Sequence, residues 1–108
     1  MLVKLFFACT YNTDFNIKEF YEYLENEYNT ISRYSPIIDF TSFTNYYNEE
    51  MGNQLKKQIV SISGVYDIEN LHKIKLKTNS IEDRYSINNN RVLNIDPGYI
   101  TEAKIILF

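Results

Sequence analysis

The sequence predicts an α+β fold: a mainly antiparallel sheet with two helices on one face, in a ferredoxin-like (split βαβ) arrangement with an extra C-terminal strand. Three observations carry that expectation. Segments dense in β-branched and aromatic residues alternate with segments whose apolar residues recur every three or four positions, so the hydrophobic period switches between strand and helix values. The switches run β-α-β-(loop)-β-α-β-(turn)-β, the order of a split βαβ layer with one strand added. A chain of 108 residues holds one modest core, and neither a repeat nor a linker divides it, so residues 1–108 are read as a single domain.

The first strand is "LVKLFFACTY", apolar on both sides and therefore largely buried. "FNIKEFYEYLENEYN" then turns helical, with Ile17, Phe20, Leu24 and Tyr28 on one stripe. Asn16 stands at its N-cap, and Glu19 three residues on completes a capping box. A second strand falls within "ISRYSPIIDF", where Pro36 marks an edge or a bulge. "TSFTNYYNEEMGN" is a loop with at most one helical turn, and "LKKQIVSISGVY" returns to strand, Val60 and Ile62 sharing a face. Asp67 caps a second helix that carries Leu71, Ile74, Thr78 and Ile81 on one stripe. Within it "HKIKLKT" also alternates like a strand, and length and cap favour helix. "INNN" is a loop, "RVLNI" a strand, and "EAKIILF" the final strand. Between these two strands Asp96-Pro97-Gly98-Tyr99 fits a type II turn, Pro setting φ at the second position and Gly supplying φ > 0 at the third.

Composition excludes several functions. The net charge of −3, with arginine only at 33, 84 and 91, argues against nucleic acid as a partner, since phosphate neutralisation needs clustered Lys and Arg. Glycine occurs only at 52, 64 and 98, which leaves no phosphate-cradling loop or dinucleotide fingerprint. His72 is the single histidine, so neither a zinc site of the usual kind nor a Ser-His or Cys-His catalytic pair is expected. Cys9 is the single cysteine, consistent with a reducing cytoplasm. The opening "MLVKLFFACT" is too short in its apolar run for a signal peptide, and nothing approaches the roughly 18 apolar residues that span a membrane.

Two polar clusters remain. Asn94 and Asp96 share one face of a strand whose other face is Leu93 and Ile95, and two polar groups at a strand end suit a ligand hydroxyl or a cation. In Tyr46-Tyr47-Asn48-Glu49-Glu50-Met51-Gly52, a carboxylate is available for a metal or for proton transfer. Lys73, Lys75 and Lys77 with Asn79 form a basic helix face that can meet a phosphate. The structural alternatives are a well-formed turn, a solvated acidic loop and a solvated helix face.

At these clusters the chain resembles a family found in bacteria and archaea, the domain-of-unknown-function family 4416. The resemblance rests on "VKLF", "FTNYYNEEMG" (43–52), "IKLKTN" (74–79), "NIDPGY" (94–99) and "TEAKIIL", in the family's order and spacing. It implies that Tyr46, Tyr47, Glu50, Met51, Gly52, Lys75, Thr78, Asn79, Asn94, Asp96, Pro97, Gly98 and Tyr99 are family positions. It brings no established activity. Ser42 stands where the family leads one to expect Asp, and the family's members continue beyond the position of Phe108, so a part of their sheet is expected to be missing here.

These readings give three expectations. The leading one is a domain that binds a small polar or anionic ligand through Tyr46, Tyr47, Glu50, Asn94, Asp96 and Tyr99, with Lys75 and Asn79 on the cationic side. The second is a hydrolase or transferase that holds Mg²⁺ on Glu50 and Asp96, with Asn94 beside them. The third is an interaction module: "AKIILF" ends in four apolar residues, and an unpaired terminal strand there leads to a homodimer through its edge or through Ile105, Leu107 and their neighbours.

Overall fold

The computed structural model describes residues 1–39, 48–52, 54–101 and 105–108. In chain order its elements are β1 (Leu2–Asn12), α1 (Ile17–Glu27), β2 (Ile31–Tyr34), β3 (Ile38–Asp39), α2 (Asn48–Met51), β4 (Leu55–Ile62), β5 (Tyr66–Asp67), α3 (Leu71–Arg84), β6 (Leu93–Ile100) and β7 (Ile105–Leu107). The strands form one sheet in the order β2-β4-β1-β6-β7, with β3 beside β4 and β5 beside β1. Every pairing is antiparallel. Strand β4 separates β1 from β2, and β6 returns on the other side of β1. That is the split βαβ arrangement, with β7 added outside β6.

Strand alternation sorts β1 into two faces. Leu5, Phe7, Cys9 and Tyr11 point to the side of the helices and join one core with Phe20, Tyr21 and Leu24 of α1, and with Leu71, Ile74 and Ile81 of α3. Val60 and Ile62 of β4 and Leu93 and Ile95 of β6 complete it. Both helices therefore lie on one face. Each fully buried Leu, Ile or Phe contributes roughly 1.5–3 kcal/mol, which is why the apolar stripes fix the layering.

Local chemistry follows expectation at most joints. Asp67 accepts a hydrogen bond from the Glu69 amide (3.1 Å) and caps a short 3₁₀ turn that runs into α3, so "HKIKLKT" is helix. Pro36 lies between β2 and β3 at the sheet edge. The "INNN" loop is a tight hairpin turn: Ile87 and Asn90 exchange backbone hydrogen bonds, and Asn88 and Asn89 take φ of 52° and 66°.

Two expectations are corrected. Asn16 sits at the N-cap of α1, yet its side chain makes no capping bond; its carbonyl accepts from the Glu19 amide instead. No side-chain cap hydrogen bond forms at this end of α1, so the capping box does not close. The larger correction is at Asp96-Pro97-Gly98-Tyr99, which is not a turn. Strand β6 runs through it, pairing Asp96 with Ala8, Pro97 with Phe7, Gly98 with Phe6 and Tyr99 with Leu5. Gly98 is not among the positive-φ residues a type II turn needs.

The physical reason lies in which ladder Pro97 interrupts. Its carbonyl accepts from the Phe108 amide (3.2 Å), so its N–H-lacking side faces β7, at the end of that short ladder, and leaves the β1 ladder intact. One missing net hydrogen bond, about 1 kcal/mol, is outweighed by the burial that a continuous β6 gives Pro97 and Tyr99 on the helix side of the sheet.

Candidate functional site

The site begins at Asn12, the last residue of β1. Its backbone amide bonds the Val92 carbonyl (2.9 Å), and its side-chain amide donates to the Met51 carbonyl (2.7 Å), joining the end of α2 to the entry of β6. Gly52 ends α2 with φ of +91°, and a Cβ there would stand 2.7 Å from Asn12 Nδ2. The glycine of "NEEMG" is thus required both for its left-handed backbone and for its close approach.

This junction sets Glu50 against Arg91. The Arg91 backbone amide and Nε both donate to Glu50 Oε2 (2.9 Å each), and Nη2 donates to Oε1 (3.0 Å). Arg91 Nη1 then donates to Asn94 Oδ1 (2.8 Å), and Asn94 Nδ2 donates to Asp96 Oδ2 (3.1 Å). The result is one hydrogen-bonded chain, Glu50–Arg91–Asn94–Asp96. Bidentate pairing with Arg91 holds the Glu50 carboxyl below its ordinary range.

Asn94 and Asp96 lie on the face of β6 turned away from the helices. Asn94 lines up with Thr10 and Lys57 across β1 and β4, and Asp96 with Ala8 and Ile59. Asn94 and Thr10 are buried, while Asp96 is partly exposed. Among the described residues Asn94 is the hydrogen-bond partner of Asp96, on Oδ2, which leaves Oδ1 as an acceptor at the end of the chain.

On the helix side stands a group that the sequence reading missed. Glu82 of α3 is buried, and its Oε2 accepts the Ile95 amide at 2.6 Å. That amide faces the stretch of β6 which β7, pairing only with Gly98–Ile100, does not reach, so Glu82 stands in for the absent strand. Burial raises the Glu82 carboxyl above its ordinary range, against the lowering effects of the Ile95 bond and of Arg91 and Lys75. Cys9 is fully buried, and its thiol is pushed up by burial and then by the Asp96 charge.

The expected site residues are thus only partly brought together. Glu50, Asn94 and Asp96 are joined, through Arg91, which the sequence reading passed over. Tyr99 and Lys75 are not with them: Tyr99 packs against the core on the helix side, and both line a groove beside α3. Asn79 is exposed on α3, one turn beyond Lys75. Tyr46 and Tyr47 lie outside the described residues. For Mg²⁺ on Glu50 and Asp96, both Glu50 oxygens are already engaged by Arg91, and the described residues hold no group of three His, Cys, Asp or Glu able to bind a metal. No described helix is long and apolar enough to cross a membrane.

Arg91 and Glu50 are 41 positions apart, so no local spacing announces their pair. Glu82 did carry a signal: it falls four residues after Thr78 on the buried stripe of α3, where an acid has to find a partner.

Fold and site together define a split βαβ domain with a hydrogen-bonded polar chain on the face of its sheet away from the helices. The chain belongs to the family described as a domain of unknown function (DUF4416), whose model matches residues 1–108. Among curated proteins and among solved structures, none matches it.

Proposed function

We propose that the domain binds a small polar ligand at the Asp96 end of the Glu50–Arg91–Asn94–Asp96 chain. The observation that carries this reading is the chain itself: four side chains held in one geometry by consecutive hydrogen bonds, ending in a carboxylate oxygen that has no bond to the described residues. A site ordered before binding loses little entropy when the ligand arrives. With Arg91 committed to Glu50 and Asn94, the group offered to a ligand is an acceptor, which suits hydroxyl or amine donors.

The test is a thermal-shift screen of sugars, polyols, nucleosides and amines on the wild type and on Asp96→Ala. A ligand at a hundred times its Kd adds about 2.7 kcal/mol to stability. The reading expects one class to raise the melting temperature of the wild type and not of Asp96→Ala. It fails if no class acts, or if both proteins respond alike.

We further place the domain in a reducing cytoplasm, on its free and buried Cys9. A homodimer is the second reading, supported by β7: it pairs with β6 on one side, has no strand on the other among the described residues, and exposes Leu107. Sedimentation of the wild type and Leu107→Lys at micromolar concentration checks it; a strict monomer in both contradicts it.

A further inference from the structure

The helix side of the molecule carries a concavity separate from the Asp96 face. It is a groove of about 480 Å³ between α3 and the β6–β7 ladder, walled by Ile68, Leu71, Leu76, Tyr99 and Phe108. Its volume falls within the roughly 300–1,000 Å³ of small-ligand pockets, which are mostly apolar with a few polar groups. Leu76, 64% exposed, forms the outer lip of this groove. The Tyr99 and Phe108 rings, with centroids 6.0 Å apart, form the aromatic end.

Among the described residues, two ionisable side chains other than Tyr99 join this wall, Lys75 and His72. They follow from helix geometry: 71, 72, 75 and 76 fall on one flank of α3. Neighbouring Lys77, on another flank, is neutralised by Glu27 of α1. Lys75 has no ion pair among the described residues, and none of the residues named in the wall is acidic. A single ammonium with an imidazole beside it matches a monoanion with two oxygens. Phosphate esters, more heavily charged, call for more donors. A peptide would bring backbone N–H and C=O groups that an apolar wall leaves unpaired.

We infer that this groove binds a long-chain carboxylate, its alkyl tail along Leu71, Leu76, Tyr99 and Phe108 and its head group on Lys75. The charge complementarity with Lys75 selects the head, and the apolar wall selects the tail. This inference is independent of the Asp96 reading, because strand alternation puts the two sites on opposite faces of β6.

The test is calorimetric titration of the full chain with dodecanoate below its micellar concentration, with dodecanol and acetate as controls. The wild type is expected to bind dodecanoate saturably at one per chain, and to bind dodecanol about tenfold more weakly, the worth of one charge-assisted contact. Acetate is expected not to bind. Lys75→Gln is expected to lose about tenfold for dodecanoate and nothing for dodecanol, and Leu76→Gln to weaken both. Both positions are on the helix surface or its margin, and circular dichroism verifies that the variants fold. Asp96→Ala is expected to bind dodecanoate like the wild type, so this site and the polar one fail separately. No dodecanoate binding, equal binding of dodecanol, or binding unchanged in both groove variants overturns the inference. So does sedimentation showing a dimer that Leu76→Gln dissociates, since the groove's occupant is then a second copy of the chain.

Discussion

The two faces of β6 do different work with neighbouring residues. On the helix side, Leu93 and Ile95 are buried in the core, and the Ile95 amide is met by a buried carboxylate, Glu82. On the opposite side, Asn94 and Asp96 make a polar chain with Arg91 and Glu50. Adjacent positions therefore face different surroundings, an apolar core on one side and a hydrogen-bonded polar chain on the other. The lesson is that the period of two, not closeness in sequence, decides which residues of "NIDPGY" can share a site.

Substitutions on the two faces sharpen this contrast. The largest effect is expected from Ile95→Ala, which empties a fully packed position and should cost about 2–4 kcal/mol in chemical denaturation. Gly52→Ala comes next. It places a side chain at φ of +91° and 2.7 Å from Asn12 Nδ2, and should cost about 1–3 kcal/mol while displacing Glu50 from Arg91. A ligand response retained at full strength in Gly52→Ala would separate α2 from the polar site.

Glu82 gives a prediction with two arms. Glu82→Ala leaves the Ile95 amide unpaired and is expected to cost about 1–3 kcal/mol, whereas Glu82→Gln keeps an acceptor there. The sign with pH follows from burial. The Glu82 pKa is raised in the folded state, so its contribution to stability is greatest below the ordinary carboxylate value and falls as pH rises through the raised one. Glu82→Gln should therefore match the wild type in acid and exceed it near neutrality, read as melting temperature against pH. Glu50 works the other way. Its folded pKa is lowered by Arg91, so the stability it adds is present above the ordinary value and is lost as pH falls through the lowered one. Arg91→Ala should remove that acid sensitivity. The smallest change in stability, about 1 kcal/mol, is expected for partly exposed Asp96→Ala, which removes the acceptor of the Asn94 side-chain amide and should abolish the response to a polar ligand.

Much of the fold was legible because apolar spacing is a local signal. Phe20 with Leu24, and Leu71 with Ile74, Thr78 and Ile81, mark the buried stripes of both long helices, and Val60 with Ile62 marks a strand face. The reading of Asp96–Tyr99 failed because Pro-Gly is a turn signal when taken alone. Only the pairing of β6 with β1 and β7 shows that the missing Pro97 donor falls where a ladder ends. That error carried into the site, since a turn would gather Asn94, Asp96 and Tyr99 at one place and a strand divides them. Arg91 escaped notice because its partner is remote in sequence. Glu50 was singled out from residue type, and Asn94 and Asp96 from strand alternation, both of which are local signals.

The division of residues 93–99 between two faces depends on β6 being continuous through Pro97. The most direct measurement is a nuclear Overhauser spectrum of the α-protons of β1 and β6. Phe7 and Pro97 face each other as a pair without mutual hydrogen bonds, the kind whose Cα atoms approach to about 4.5 Å. A strong Phe7–Pro97 Hα–Hα cross-peak, with a second between Cys9 and Ile95, is the predicted result. Their absence, with short-range contacts from Asp96 to Tyr99 across a closed turn, would contradict it.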